Sequence, residues 1–476
     1  MAGVEQKSVR ETVVSTWIND VVPSLSGLVA IPALSPAFDA DWAASGRLAA
    51  AVEHVKTFIA GRDLPGVSIE VVQLEGRSPL LFVDVPATAG ATDKPTVLMY
   101  GHLDKQPPVG GWSEGLGPWT PVIRDGRLYG RGSVDDGYSG YAAVSALEAV
   151  RAAGGEHART VVLLETGEES GSPDLPAYVE HLSERLGEVG LVVCLDAGGM
   201  DYERLWLTTS LRGMLHLTVT VQLLATAQHS GLASGVVASS FRVLRQLLER
   251  IESGETGEIK LAELNVEVPA SRLAEIEAVA EVAPEKLQTA FPLVSGGRTM
   301  SEDALELLLN NYWRPTLSII GADGFPLPAN AGNVLRESTT LTLSFRLPPT
   351  AEAAPALAAV KRALTTDVPY GASVTIHEDA QAENGWNAPE EAPWLSAALR
   401  RVSDEVFGRP HRAAGMGGSI PFMGLLGEKY PQAQFLVTGA CGADSNIHVP
   451  DEWLNLDYAQ QVTEAVAHIL DAHARS

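Results

Sequence analysis

The stretch "LLETGEESGSPDL", residues 163–175, ends an apolar run on two adjacent carboxylates, Glu168 and Glu169. Two acids at one place repel each other, and burying them unpaired costs more still. The pattern recurs along the chain. His102 and Asp104 close the run "TVLMYGHLD", Asp135 stands in "GRGSVDDG" ahead of a helical pattern, Asp196 ends "VGLVVCLDAGG", and His448 lies in "GADSNIHVP" after "AQFLVTGA". Taken singly, each has an ordinary explanation. Asp135–Asp136 and Glu168–Glu169 suit helix N-caps, Asp196 suits a turn, and His448 suits a solvated loop. Together they put two histidines and five carboxylates at the ends of apolar strands. In open α/β sheets, sites form along the carboxyl edge of the strands. Such a concentration of negative charge calls for cations. A mixed imidazole and carboxylate donor set suits zinc, manganese or cobalt.

The strands that position these groups are nearly all apolar and alternate with helical patterns. "SIEVVQL" and "PLLFVDVP" read as strands, as do "TVLMYGHLD", "RTVVLLET" and "VGLVVCLDAGG". "AASGRLAAAVEHVKTFIAG", "YSGYAAVSALEAVRAAGG" and "LPAYVEHLSERL" have helical spacing. The fold class expected is α/β, a mostly parallel sheet with helices on both faces. Near residue 209 the style changes. "GMLHLTVTVQ" alternates like a strand with one wet face. A helix within "SGVVASSFRVLRQLLERIE", strands "PTLSIIGAD" and "STTLTLSFRLPP", a helix "TAEAAPALAAVKRALTT" and a strand "ASVTIHED" follow. The order β-α-β-β-α-β points to a ferredoxin-like α+β unit. The intervening stretch, 255–314, is charged and helical in pattern, and its place in that unit is not set by the pattern. The α/β style returns after "ENGWNAPEEAPWL" and closes on the helix "DYAQQVTEAVAHILDAHA". The expected division is a catalytic domain of 1–208 and 386–476, with 209–385 inserted as a lid and dimerisation domain.

Composition bounds the function. The chain has 476 residues, of which 45% are apolar, enough for a sizeable core. Lys and Arg total 34 against 59 Asp and Glu, a formal charge of −25. That argues against nucleic acid, which needs a basic footprint, and against an anionic membrane surface. Two cysteines, Cys194 and Cys441, exclude a disulfide framework and read as packing residues of a reducing compartment. The N-terminal stretch has no apolar run like that of a signal peptide, and no run of about 18 apolar residues occurs. The expectation is a soluble cytoplasmic protein.

"MYGHLDKQPP", "LYGRGSVDDGYSG", "TGEESGSPDL", "VVCLDAGG" and "GADSNIHVP", in that order, resemble the M20 family of dinuclear metallopeptidases. "GGSIP" at 417–421 resembles its carnosinase-like dipeptidase branch, and the likeness runs from about residue 95 to the C-terminus. The resemblance implies two divalent ions per chain, zinc first, with manganese or cobalt as alternatives. His102, Asp135 and Asp196 would hold one ion, and Asp135, Glu169 and His448 the other. Asp104 would orient the His102 imidazole, and Glu168 would be the general base acting on a water between the ions. On the inserted domain, "TAQHSGLASG" resembles the family's His-Ser-Gly loop, which makes His229 a group reaching across a homodimer to the partner's site. Arg346 in "LSFRLPP" matches the arginine that pairs with a substrate carboxylate. Asn333 in "AGNVL", with Gly418 and Ser419 in "GGSIP", would contact the substrate.

One departure bears on the substrate. The branch usually carries Arg-Glu before "GGSIP", and here Gly415 and Met416 stand there. An acid at that place reads a free substrate amine, and Met does not. The expected reaction is hydrolysis of an amide in a small substrate, foremost a dipeptide with a free C-terminal carboxylate. An N-acyl amino acid amidohydrolase on the same scaffold is the alternative that Met416 keeps open. A non-catalytic scaffold is the remote one, and the complete ligand set argues against it.

Overall fold

The computed structural model describes residues 8–282, 286–289, 291–418, 421–442 and 444–476. It divides into two compact units, one of residues 1–208, 388–414 and 421–476, the other of 209–387 and 415–420.

The first unit is built on a six-stranded sheet. Its strands are β1 (Ser68–Val72), β2 (Leu80–Val85), β3 (Thr96–His102), β4 (Thr160–Glu165), β5 (Val189–Cys194) and the strand Gln434–Val437, in the order β1-β2-β4-β3-β5-(Gln434–Val437). β3 runs parallel to β4 and to β5, and β5 parallel to Gln434–Val437. β1 and β2 are antiparallel to their neighbours. The sheet is therefore mixed. The mostly parallel character expected holds: three of the five pairings are parallel, those that carry the acids and histidines, and β2 alone runs against the other strands.

Every residue of β3 and β4 is buried, so both faces of the sheet centre are covered. Val97, Met99, Val162, Leu164, Leu191 and Val193 share one core with the helices Arg47–Ala60, Ser139–Ala152 and Leu456–Ala474. Each such fully buried Val or Leu contributes about 1.5–3 kcal/mol. On the other face the Tyr100 ring stacks on Phe422 of the helix Pro421–Lys429. The helix Ser139–Ala152 is Ala-rich and buried from Ser139 to Val150, as a central helix without a polar stripe must be.

Residues 9–29 are also helical, in three abutting segments, and sink Val13, Trp17, Val21, Leu25 and Leu28 into this core. A capping box starts them, with Ser8 and Glu11 bonded reciprocally. Their far end is held by Lys105, whose buried ammonium donates to the carbonyls of Leu28, Val29 and Ile31.

The second unit carries β6 (Gly213–Gln222), β7 (Thr316–Asp323), β8 (Ser338–Leu347) and β9 (Ser373–Ile376), in the antiparallel order β7-β8-β6-β9. Burial on β6 and β8 alternates strictly. Leu215, Leu217, Val219 and Val221 pack with Leu343 and Phe345 under the helices Ser240–Leu248 and Ala353–Thr365. The stretch 255–314 contains the helices Ala270–Val282, Lys286–Thr289 and Ala304–Tyr312. Residues 415–420 group here rather than with 386–476 as a block. A Cβ at Gly415 would meet Tyr312 and Ser210, and Arg212 donates to the carbonyls of Gly417 and Gly418, all within this unit. Among the described residues no helix is long and apolar enough to cross a membrane.

Candidate metal centre

Parallel strands end on one edge, and that edge gathers the polar groups. His102 is the last residue of β3 and lies level with Glu165 at the end of β4. β4 then leads into a single 3-10 turn, Glu168–Ser170. Asp196 follows β5 by two residues and bridges Gly439 across the sheet edge. Asp135 precedes the helix Ser139–Ala152, whose start approaches β3 so closely that a Cβ on Gly101 would collide with Ser139 and Asp136. Glycine is required there. His448 comes from the loop after Gln434–Val437 and has a positive φ of 62°.

Asp135 stands between the two histidines. Its Oδ1 is 3.3 Å from His102 Nε2, and its Oδ2 is 2.9 Å from His448 Nε2. Around His102 Nε2 also lie Asp196 Oδ2 at 3.8 Å and Glu168 Oε2 at 4.0 Å. Around His448 Nε2 lies Glu169 Oε2 at 3.2 Å. Among the described residues, two sets have ligand atoms all within 4.8 Å of one another: His102 with Glu168 and Asp196, and His102 with Asp135 and Glu169.

Asp104 lies at the other nitrogen of the His102 ring and braces the cluster. Its carboxylate lies 3.4 Å from His102 Nδ1 and accepts the backbone N–H of both Glu168, at 3.2 Å, and Glu169, at 3.0 Å. One side chain thus orients the imidazole and holds the turn that carries the paired acids. The sequence offers Asp136 only as a helix N-cap and does not single out Gln106. Asp136 Oδ2 accepts the backbone N–H of His102, and Gln106 Nε2 donates to Glu169 Oε2 at 2.7 Å. Only their closeness in sequence to Asp135 and His102 hints at this, since the hydrogen bonds cross between loops.

The electrostatics follow from burial. Burial raises the Glu168 carboxyl to about 8 against the pull of His102, with repulsion from Glu169, Asp135 and Asp104 adding to the rise. Burial also lifts Asp196 well above the usual carboxylate range, helped by Asp136 and Asp135. Asp135 goes the other way: burial opposes ionisation, but hydrogen bonds and charge from His102 and His448 push it below that range. Asp135 and Glu169 in turn raise His448 to about 10.

These residues fit divalent cations. His102 Nδ1 is engaged by the Asp104 carbonyl at 3.1 Å, whereas its buried Nε2 has no hydrogen-bond partner. A nitrogen lone pair aimed at carboxylate oxygens meets no proton donor, and a cation satisfies both at once. Four ligands of a tetrahedral zinc stand roughly 3.3 Å apart, close to the 3.3 Å between His102 Nε2 and Asp135 Oδ1.

Residues 98–472 match the family described as Peptidase family M20/M25/M40. The chain belongs to this family. It is a metallopeptidase. The cysteinylglycine-S-conjugate dipeptidase of Corynebacterium striatum is 25% identical over 79% of this chain and 81% of that protein. The Cys-Gly metallodipeptidase dug1 of Schizosaccharomyces pombe is 25% identical over 81% of each. The crystal structure of human carnosine dipeptidase 1 superposes with a TM-score of 0.73 over 98% of both chains, at 22% identity, and so shares the fold.

The remaining expected residues of this M20 peptidase lie in the second unit. His229 is exposed on a two-residue strand paired with Val334–Leu335, where its Nδ1 accepts from Gly231 N. Ser230 N donates to the carbonyl of Asn333, so His229 and Asn333 are neighbours. Arg346 sits on β8 opposite Met214 and Thr316. Arg212, which the sequence reading passed over, adjoins it. Burial first, then repulsion from Arg346, lowers the Arg212 guanidinium to about 10. Arg212 N donates to Gly418 O at 3.1 Å and its Nε to Gly417 O at 2.9 Å. Ser419 lies outside the described residues.

Proposed function

We propose that this M20 peptidase hydrolyses dipeptides with a free carboxylate through a dinuclear centre. The observation that carries the reading is Asp135, with one oxygen toward each histidine. In this reading His102, Asp135 and Asp196 hold one divalent cation, and Asp135, Glu169 and His448 the other. Zinc is the first choice of metal, manganese and cobalt the next. Bound there, the cations lower the pKa of a water and polarise the scissile carbonyl. Glu168 takes a proton from the attacking water and delivers it to the leaving amine. Burial raises its carboxyl in the metal-free site, and cations bound beside it would draw it back toward the ionised form that a base requires. Glu169, already engaged by Gln106 and His448, is the ligand of the pair. Asp104 fixes the imidazole and the turn.

The second unit serves as an inserted ferredoxin-like lid through which two chains form a homodimer. Its antiparallel order and the two helices on one face support that label. His229 acts on the partner's site, Arg346 pairs with the substrate carboxylate, and Asn333, Gly418 and Ser419 contact the substrate. The enzyme works in the cytoplasm. The relatives that act on Cys-Gly support a dipeptide substrate. Met416 favours a second reading, an N-acyl amino acid amidohydrolase.

The test is a turnover screen of dipeptides beside N-acyl amino acids, on protein stripped with chelator and reloaded with zinc, manganese or cobalt. Dipeptide turnover restored by metal is the expected result. Turnover confined to N-acyl amino acids would favour the second reading, and none with any metal would refute both.

A further inference from the structure

Asp135 and His448 come from different loops, and neither loop is braced by regular structure at the residue itself. Asp135 ends a glycine-rich ribbon, 130–134, and His448 sits in a left-handed conformation with half of its side chain exposed. Something has to hold the two loops in register. A fully buried carboxylate, Glu452, lies where they meet.

Glu452 Oε1 accepts the backbone N–H of Gly132 at 2.9 Å, Ser133 at 3.1 Å and Val134 at 3.4 Å. Its Oε2 receives Arg131 Nη1 at 2.6 Å, and Arg131, equally buried, sends Nη2 to the Val449 carbonyl at 3.2 Å. The backbone repeats the tie, since Gly130 N donates to Glu452 O at 2.9 Å. The three residues before Asp135 are thereby anchored to a side chain four positions after His448. The guanidinium closes the circuit at the residue next to His448. These hydrogen bonds go to the ribbon backbone, to Arg131 and to Val449, not to a proposed metal ligand.

We propose that Glu452, whose buried charge Arg131 balances, is a positioning residue that sets the distance between Asp135 and His448 and so tunes affinity for the cation they share. Three aligned N–H groups on one oxygen make a charge-assisted nest that holds the ribbon before any cation arrives. The inference rests on the dinuclear reading above.

Removing Glu452 alone strands a buried guanidinium, so the test uses two double variants that remove the charge pair together. Arg131→Met with Glu452→Gln keeps an acceptor for the three N–H groups. Arg131→Met with Glu452→Leu keeps the volume without one. Divalent affinity is read by competition with a chromogenic chelator, and site geometry by the visible absorption of cobalt-loaded protein. The Gln variant should stay within about threefold of wild type for both ions. The Leu variant should lose about 10–100-fold for one ion, as loss of an outer partner does, and shift part of the cobalt spectrum. Equal affinities and equal spectra in the two variants would overturn the proposal. If the Leu variant does not fold, amide exchange on metal-free wild type decides. Slow exchange at Gly132 and Ser133 supports pre-organisation, and exchange at unprotected-loop rates refutes it. A wild-type chain that binds no divalent ion would instead refute the dinuclear reading, a separate outcome.

Discussion

Glu168 and Glu169 differ by one position in sequence and are assigned different work, so replacing each with glutamine is the sharpest test of the site. Glu168→Gln preserves volume and leaves the backbone N–H that Asp104 accepts. It removes the proton acceptor. General-base catalysis contributes about 10²–10⁴-fold, so the barrier should rise by about 2.7–5.4 kcal/mol. Metal content should stay near two ions per chain. Glu169→Gln removes a charge that faces His448 Nε2 and Gln106 Nε2. Its amide nitrogen would confront donors. One ion should be lost beyond the about 10–100-fold typical of an outer partner, with turnover falling as a consequence.

The assays are elemental analysis after dialysis against buffered metal, and kcat/KM at saturating metal. A control on sign comes from the metal-free protein. The Glu168 carboxyl is raised to about 8 when folded, above its unfolded value of about 4.3. Ionising it in the fold therefore costs stability, a cost absent below pH 4, growing between the two values and complete above about pH 8. Metal-free Glu168→Gln should melt higher than wild type at pH 8–9 and equally at pH 4. Equal metal loss in both variants, or more than a tenth of wild-type turnover in Glu168→Gln, would refute the assignment of base and ligand.

Reconstituted protein should hold about two divalent ions per chain, and chelation should abolish turnover and lower the melting temperature, since ions bind the native state selectively; one ion at most, with activity surviving chelator, would sink the dinuclear reading. Metal affinity should rise with pH between 6 and 8 by about one decade per unit for each proton displaced, because His448 is held protonated to about 10 and Glu168 to about 8 without metal; a flat profile by calorimetry in buffers of different ionisation enthalpy would contradict this. Mixing His229→Ala chains with Glu168→Gln chains should restore up to about a quarter of wild-type activity, if His229 acts in trans with the weight of an oxyanion-hole donor. No rescue, with subunit exchange confirmed by differently tagged chains, would confine His229 to its own chain.

His102, Asp104, Glu168, Glu169 and Asp196 stand out in the sequence because each follows an apolar run, and β3, β4 and β5 are buried from end to end but for Gly190. A polar residue at the end of such a run has nowhere to go but the sheet edge. Strand direction was not legible. β2 is nearly as apolar as β4, and hydrophobicity is the same whichever way a strand runs, so the sequence points to a mostly parallel sheet without telling which strand, β2, runs against it. The helical segments from Val9 to Val29 went unread, although "SVRE" is a capping box and Val13, Trp17, Val21, Leu25 and Leu28 have helical spacing. There the signal existed and was passed over. Gln106, Asp136 and Arg212 are different, for their partners are distant in sequence or are backbone atoms, which no residue pattern records.

The paired acids carry the point furthest. Side-chain chemistry alone leaves Glu168 beside Glu169 as a repulsion to be explained. In the fold, Asp104 accepts both of their backbone N–H groups, a third carboxylate that at first sight worsens the repulsion. Those two donors keep it satisfied, and it fixes the turn so that the neighbouring side chains diverge. Glu168 goes toward His102 and Glu169 toward His448. The divergence is a property of one short turn held by one residue. Asp104→Asn should therefore disturb both glutamates at once: an amide in place of that carboxylate offers one acceptor to two N–H groups and turns its own donor on the other. Metal content and turnover should fall together, unlike in either glutamate variant, and a variant that lost turnover alone would show that the turn holds itself.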